Sequence, residues 1–244
     1  GSSFAFTKRS NPFSLVGSGS QRPKTEFSTP RQSLLHNKRF LAVVGCGFLV
    51  SLSSNLMKIL LPSYLEDYVH VNPFVESFIH TGSSIAEFLV MITFPWISRQ
   101  LSFQSCFLSA VSLYFLYMTC FSMLPTSVLL KSSSRSVATG QRIVLMFILC
   151  APLKGIASGL MNSSSSLLVS CITGKNSGAQ KVYSAIVSMF AGFIAGLYGF
   201  WLALETDSLA VETSLVFRHC FLWCFVALMC SFYVFLLEKP GSAC

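Results

Sequence analysis

Apolar positions along this chain do not alternate with polar ones; they run in blocks. Six blocks stand out: Phe40–Leu61, Phe74–Ile97, Ser102–Leu124, Ile143–Ile172, Val182–Leu204 and Val216–Leu237. Each is long enough to cross a hydrocarbon layer of ~30 Å, which takes roughly 20 residues of helix. Continuous blocks argue against a β-barrel, whose strands alternate lipid-facing and lumen-facing residues. A spanning segment must also satisfy its own backbone polar groups, so the pattern predicts six helices. Composition points the same way. Of 244 residues, 52% are hydrophobic and only 11% charged, with a mean hydropathy of +0.64, where a soluble domain carries about a quarter charged residues. The expected fold is an all-α membrane protein with six transmembrane helices in a lipid bilayer.

Residues 1–38 differ in kind. They are rich in Ser, Gly, Lys and Arg, and Glu26 is their one acid, a composition like that of an organellar transit peptide. Thr29 before Pro30 reads as a helix N-cap followed by a first helical residue. Two regions are therefore expected: a basic arm over 1–38 with a short interfacial helix, and a six-span bundle over 39–244. Most of the nine cysteines fall within or at the edges of the spans, and no C-x-x-C pair occurs. They are read as small packing residues, with no disulfide framework and no zinc ribbon.

Six spans put both termini on one side. Eleven of the 17 Lys and Arg fall there, four lie on the other side, and two remain within spans. The positive-inside rule then places both termini in the cytoplasm or its organellar equivalent, the matrix or stroma. The net charge of +8 is expected to contact anionic lipid on that face, and no nucleic-acid partner is expected.

Three charged residues interrupt the spans: Lys58, Glu87 and Lys154. An ionisable residue at membrane depth calls for a partner or a function. Glu87 is 13 residues into its span and Lys154 is 11 into its own, depths of about 20 Å and 17 Å at helical rise. These matched depths predict an intramembrane Glu87–Lys154 ion pair. Lys58 lies near Pro62 at the end of its span and is expected to snorkel to the headgroups. Gly155 and Gly159, and Gly192, Gly196 and Gly199, have the small-residue spacing that lets membrane helices approach closely. Asn162 and the serines after it are expected to bend or unwind the inner end of the fourth span.

The six-span rhythm, the proline at the end of the first span and the short second-to-third loop resemble one half of a major facilitator superfamily transporter. In that family the loop after the second span reads Gly-x-Leu-Ala/Ser-Asp-Arg-x-Gly-Arg-Arg. Here "PWISRQLSFQ" keeps Ile97 and Ser98, while Pro95, Arg99, Gln100, Ser102, Phe103 and Gln104 replace the glycines and charges. The fourth-span pattern Arg-x-x-x-Gly-x-x-x-Gly is echoed by Gly155 and Gly159, with Ala151 at the arginine position. The fifth-span pattern Gly-x-x-x-Gly-Pro is echoed by Gly192 and Gly196, with Leu197 in place of proline. The resemblance implies two three-helix repeats, for which "SSNLM" (53–57) and "SGLMN" (158–162) are the matching fragments. It also implies a deficit, because a full transporter has two such halves with its solute between them.

Two other chemistries fit parts of the sequence. A Ser-Gly in the fourth span and a histidine in the sixth also fit a rhomboid-type intramembrane protease, with Ser158 as nucleophile and His219 as base. Helix rise puts His219 about 6 Å into its span and Ser158 about 22 Å into its own, entered from the same side. A nucleophile and its base must be within hydrogen-bond reach. His80 and His219 near the acidic-side surface could in principle hold a haem, but lone histidines at helix ends are commonly interfacial hydrogen-bonding groups. The expectation is therefore no enzyme, no catalytic residue, no metal and no cofactor.

The first functional reading is a structural or accessory subunit, with other membrane-protein subunits as partners. It would sit in a larger organellar complex, placed in the mitochondrial inner membrane with both termini in the matrix; a plastid or other cellular membrane is the alternative. The second reading is a solute transporter of major facilitator type working as a dimer of halves. It predicts a polar cavity between spans one, two, four and five, with Asn55, Glu87, Lys154 and Asn162 turned into it.

Overall fold

The computed structural model describes residues 36–66, 72–122, 137–174, 177–205 and 209–236. The expected N-terminal interfacial helix and almost all of the 1–38 arm lie outside these residues. The described residues are helical, with no strand among them, and Gln32–Cys244 forms one compact unit. Six helices are long and apolar enough to cross a membrane: Lys38–Pro62, Pro73–Gln100, Phe103–Ser122, Val144–Ile172, Ser177–Trp201 and Leu215–Leu236. The chain is an integral membrane protein, all-helical over its described residues.

The full helices are α1 (Lys38–Tyr64), α2 (Pro73–Gln100), α3 (Phe103–Ser122), α4 (Val137–Ile172), α5 (Ser177–Ser184), α6 (Ala191–Glu205) and α7 (Leu209–Leu236). The fifth span is composite: α5 and α6 are joined by a π-helical stretch, Ala185–Phe190. Local chemistry sets the starts. The Asn37 and Asn72 side chains accept from the backbone N–H groups of Phe40 at 3.2 Å and Phe74 at 2.9 Å, the reach of an N-cap. Pro73 opens α2, where no intrahelical N–H is needed. At the far end of α4, Gly174 turns the chain at a φ of +64°, a conformation with no Cβ penalty for glycine.

Pro62 closes the first apolar span, Lys38–Pro62, as expected, while α1 itself runs on to Tyr64. Within a membrane bundle, freed backbone groups around a proline find neighbours and the helix persists. One sequence expectation about helix shape fails: Asn162 and the serines do not unwind α4, which is continuous to Ile172. The Ser164 hydroxyl donates to the Leu160 carbonyl at 2.6 Å, so the polar side chain is absorbed by the helix's own backbone.

The packing follows from which faces are apolar or small. Helix α2 lies on α4, α4 on α3, α3 on α7, α7 on α1, and α1 on the fifth span. Helix α7 presents Val216, Cys220, Cys224 and Ala227, all buried and three or four residues apart, hence on one face. The Cys46 thiol donates to the Ala227 carbonyl at 3.2 Å and ties that face to α1. Tyr64, Phe121, Phe147 and Phe217 form an aromatic cluster among α1, α3, α4 and α7, with centroids 4.8–6.3 Å apart, the range of favourable ring contacts. Seven cysteines are free thiols, five of them buried, as packing residues would be. Cys171, in the last turn of α4, is instead disulfide-bonded, which the expectation of thiols alone did not include.

The glycines divide sharply. A Cβ on Gly155 would run into the backbone carbonyl of Ser83 and the side chain of Ala86. On Gly159 it would stand 2.9 Å from the Glu87 carbonyl oxygen and 2.9 Å from the Val90 Cβ. These two glycines let α4 touch α2 backbone to backbone. The fifth-span glycines do not do this for their own helix. A Cβ on Gly192 would meet only the Asn55 amide at 3.7 Å, one on Gly199 only Ile59 from 3.4 Å, and one on Gly196 nothing within 4 Å. The tight approach to the fifth span comes from Gly47 on α1. There a Cβ would lie 2.7 Å from the Tyr183 hydroxyl and 3.0 Å from Val187.

Candidate functional site: a polar cavity between the spans

Three helices carry polar stripes inside otherwise apolar spans. On α1 the stripe is Ser51, Ser54, Asn55 and Lys58, at the i, i+3, i+4, i+7 spacing that shares one face. On α4 it is Ser158, Asn162, Ser165 and Ser166, and on the fifth span Gln180, Tyr183, Ser184 and Ser188. The stripes converge on a cavity of about 390 Å³, closed further by Glu87 from α2 and Tyr114 from α3. This volume sits at the small end of the 300–1,000 Å³ typical of ligand sites.

Asn55, Glu87 and Asn162 all line this cavity. The Asn162 amide donates to a Glu87 carboxylate oxygen at 2.9 Å. Lys154 does not line it. It lines a separate small hollow together with Ile79, His80, Ser83, Tyr117 and Phe147. The expected Glu87–Lys154 ion pair is therefore corrected: among the described residues the one ion pair within 4.0 Å is His80–Glu76, at 3.9 Å.

Register explains the difference. Equal depths were counted from the starts of the apolar blocks. The real register is set by the glycine contacts, which place Gly155 beside Ser83 and Gly159 beside Glu87. Lys154 is thus five residues before the level of Glu87, about 7.5 Å along the axis. Helical side chains lean toward their own N-terminus, so Asn162 leans back to Glu87 while Lys154 leans away. Lys154 still stands within Coulombic reach of both Glu87 and Lys58.

Lys58 has a place that sequence reasoning missed: it lines the cavity, one helical turn from Asn55. Its signal was present in the stripe Ser51-Ser54-Asn55-Lys58, which distance from the span's end alone does not reveal. The fifth-span contribution was missed for a related reason. The apolar block begins at Val182, whereas the span begins at Ser177 and α5 brings Gln180 to donate to Ser166 at 3.0 Å.

The π-helical stretch has a place in this geometry. Val187 and Ser188 within it line the cavity, and π-helical insertions are frequent at functional sites. Tyr114 is 2% exposed, and its hydroxyl makes no well-formed hydrogen bond, with the Ser54 hydroxyl as its polar neighbour.

The histidines and Ser158 serve separate places. His219 Nδ1 and the Tyr198 hydroxyl are hydrogen-bonded at 3.1 Å, and the imidazole stacks on Trp223. His80 is beside Glu76 on α2, and Ser158 faces the cavity. Among the described residues no group of three or more His, Cys, Asp or Glu is placed to hold a metal ion. His219 is thus an α6–α7 fastener. Tyr198→Phe is expected to lower stability by about 0.5–1.5 kcal/mol, the net worth of one hydrogen bond, read as a small drop in thermal midpoint in detergent.

Comparison with known proteins finds no matching family model, no matching curated protein and no matching solved structure.

Proposed function

We propose that this chain is one half of a solute transporter of major facilitator type, which pairs with a second copy of itself and binds its solute in the cavity among α1, α2, α4 and the fifth span. The carrying observation is the cavity itself: Lys58, Glu87, Asn55 and Asn162 face one space in the middle of an apolar bundle. Charged and amide groups at such depth are costly unless a cavity or function uses them. A purely architectural subunit has no need of three converging polar stripes.

The helix neighbours support the reading. Exchanging spans one, two and three with four, five and six turns the α2–α4 contact into that of the fifth span with α1. It turns the α3–α4 contact into α7–α1, and leaves α3–α7 and α1–α4 as they are. Two three-helix repeats would pack this way. The spans least buried within the chain are the second and the fifth, which flank the cavity and leave Phe78, Phe88, Trp96, Phe193, Phe200 and Trp201 exposed. A second half seated against them would cover the cavity and complete a path of the kind that alternating access requires.

These same aromatic faces favour a second reading, a subunit docked in a larger organellar complex without transport of its own. The location proposed for either is the mitochondrial inner membrane, with both termini in the matrix. It is supported by the basic, Ser-rich arm and by the excess of Lys and Arg on the terminal side. Native gel mass in mild detergent, combined with uptake into proteoliposomes, separates the two. A dimer that takes up solute supports the transporter. Migration only within a large assembly, with no uptake by the purified chain, overturns it in favour of the docked subunit.

A further inference from the structure

The cavity's chemistry narrows what it can hold. Its charged lining groups are one cation, Lys58, and one anion, Glu87. The anion is engaged by the Asn162 amide, whereas no carboxylate lies within 4.0 Å of Lys58 among the described residues. The neighbouring cation, Lys154, is within Coulombic reach of both. Within the lining, Lys58 is thus the charged group that no contact with an opposite charge compensates.

A second, independent observation points to a hydrogen-bond acceptor in the missing occupant. Tyr114 lines the cavity, and its buried hydroxyl makes no well-formed hydrogen bond, with the Ser54 hydroxyl as its polar neighbour. Buried hydroxyls are nearly always hydrogen-bonded, so a Tyr114 hydroxyl short of a full partner can turn to an acceptor placed in the cavity. Ser54, Ser51 and Asn55 offer further donors along the same wall.

Size favours an occupant larger than the simplest anions. A volume near 390 Å³ is about thirteen times the ~30 Å³ share of one water. A single halide would leave most of the space unfilled. The wall also includes Val50, Ala157, Met161 and Val187, which offer nothing to an inorganic ion and suit a short carbon skeleton.

We propose that the cavity binds a small organic anion bearing a carboxylate, with the Lys58 ammonium and the Tyr114 hydroxyl as its principal anchors. This inference rests on the transporter reading for its physiological meaning, but binding is tested without transport.

The test uses the full chain in detergent, with lactate, succinate and citrate set against ethanolamine, putrescine and glycerol at matched ionic strength. The readout is the shift in thermal midpoint with concentration. At least one carboxylate is expected to raise it saturably, with no such effect from the amines or glycerol. Lys58→Gln should weaken that binding at least tenfold, and Lys58→Arg should restore most of it. Tyr114→Phe should weaken binding while leaving the ligand-free protein as stable or slightly more so, because it deletes a hydroxyl short of a full partner. The Tyr114→Phe arm guards against misreading a folding defect at Lys58.

No saturable shift by any carboxylate, or equal shifts by the amines or glycerol, overturns the proposal. So does full carboxylate affinity in folded Lys58→Gln. Carboxylate binding without liposome uptake leaves this inference standing and sinks the transporter reading. Saturable uptake of glycerol or an amine, unaffected by Lys58→Gln, does the reverse.

Discussion

Gly155→Val is expected to abolish monodisperse, folded protein in detergent. The atom that a Cβ at position 155 would strike belongs to the α2 backbone, the Ser83 carbonyl. A backbone carbonyl cannot swing aside as a side chain does, so the two helices must separate along their contact. Overpacking a well-filled site costs about 1–3 kcal/mol, and a backbone clash lies at or beyond the top of that range. Gly159→Val acts in the same direction against the Glu87 carbonyl. Size-exclusion profiles and thermal midpoints check both. Gly196→Ala is the internal control, since a Cβ there meets nothing within 4 Å. Helix propensity alone then applies, and it should be neutral or stabilising by up to about 1 kcal/mol. Equal damage at 155 and 196 would mean that the α2–α4 contact is not as described.

Gly47→Leu is expected to do the opposite: keep the fold and obstruct the cavity. Its Cβ would meet the Tyr183 hydroxyl at 2.7 Å and a methyl group of Val187 at 3.0 Å. Both atoms are at the ends of side chains, and both residues line the cavity. Displacement is therefore affordable for the helices, but the displaced groups and the new leucine enter the space meant for solute. Solute binding and proteoliposome uptake should fall at least tenfold, with the thermal midpoint of the ligand-free protein lowered by much less than in Gly155→Val. Unchanged binding in a folded Gly47→Leu protein would argue that solute does not reach this part of the cavity.

The two glycines also show where sequence reasoning has reach. Apolar blocks located all six spans to within a few residues, because crossing a bilayer constrains length and composition strongly. The close contact of Gly155 and Gly159 was legible too, because small residues four apart make a groove whatever the partner. Which residues those grooves meet was not legible. Glu87 and Lys154 matched in depth from their block starts, but register is set by atoms in contact. The contact of Gly159 with Glu87 leaves Lys154 five residues, about a turn and a half, from the level of Glu87. Asn162 then becomes the partner of Glu87.

Lys58 illustrates a different limit. Its nearness to Pro62 suggested a headgroup contact, and distance from the span's end says nothing of the face it shares with Ser51, Ser54 and Asn55, which lines the cavity. Gly192, Gly196 and Gly199 show the converse, a small-residue pattern whose face meets little of its own chain. Spacing identifies a face, and only packing tells what the face is against.

Access to the cavity from water tests the central claim most directly. Ser158 lines the cavity, and Ser158→Cys places a thiol there against a background of native cysteines that are mostly buried. Labelling in proteoliposomes with a membrane-impermeant maleimide is measured as the increment over wild type. The account predicts labelling in the native state, and protection by the carboxylate that raises the thermal midpoint. A thiol that stays unlabelled in the native protein, yet reacts fully once the protein is unfolded, would contradict it.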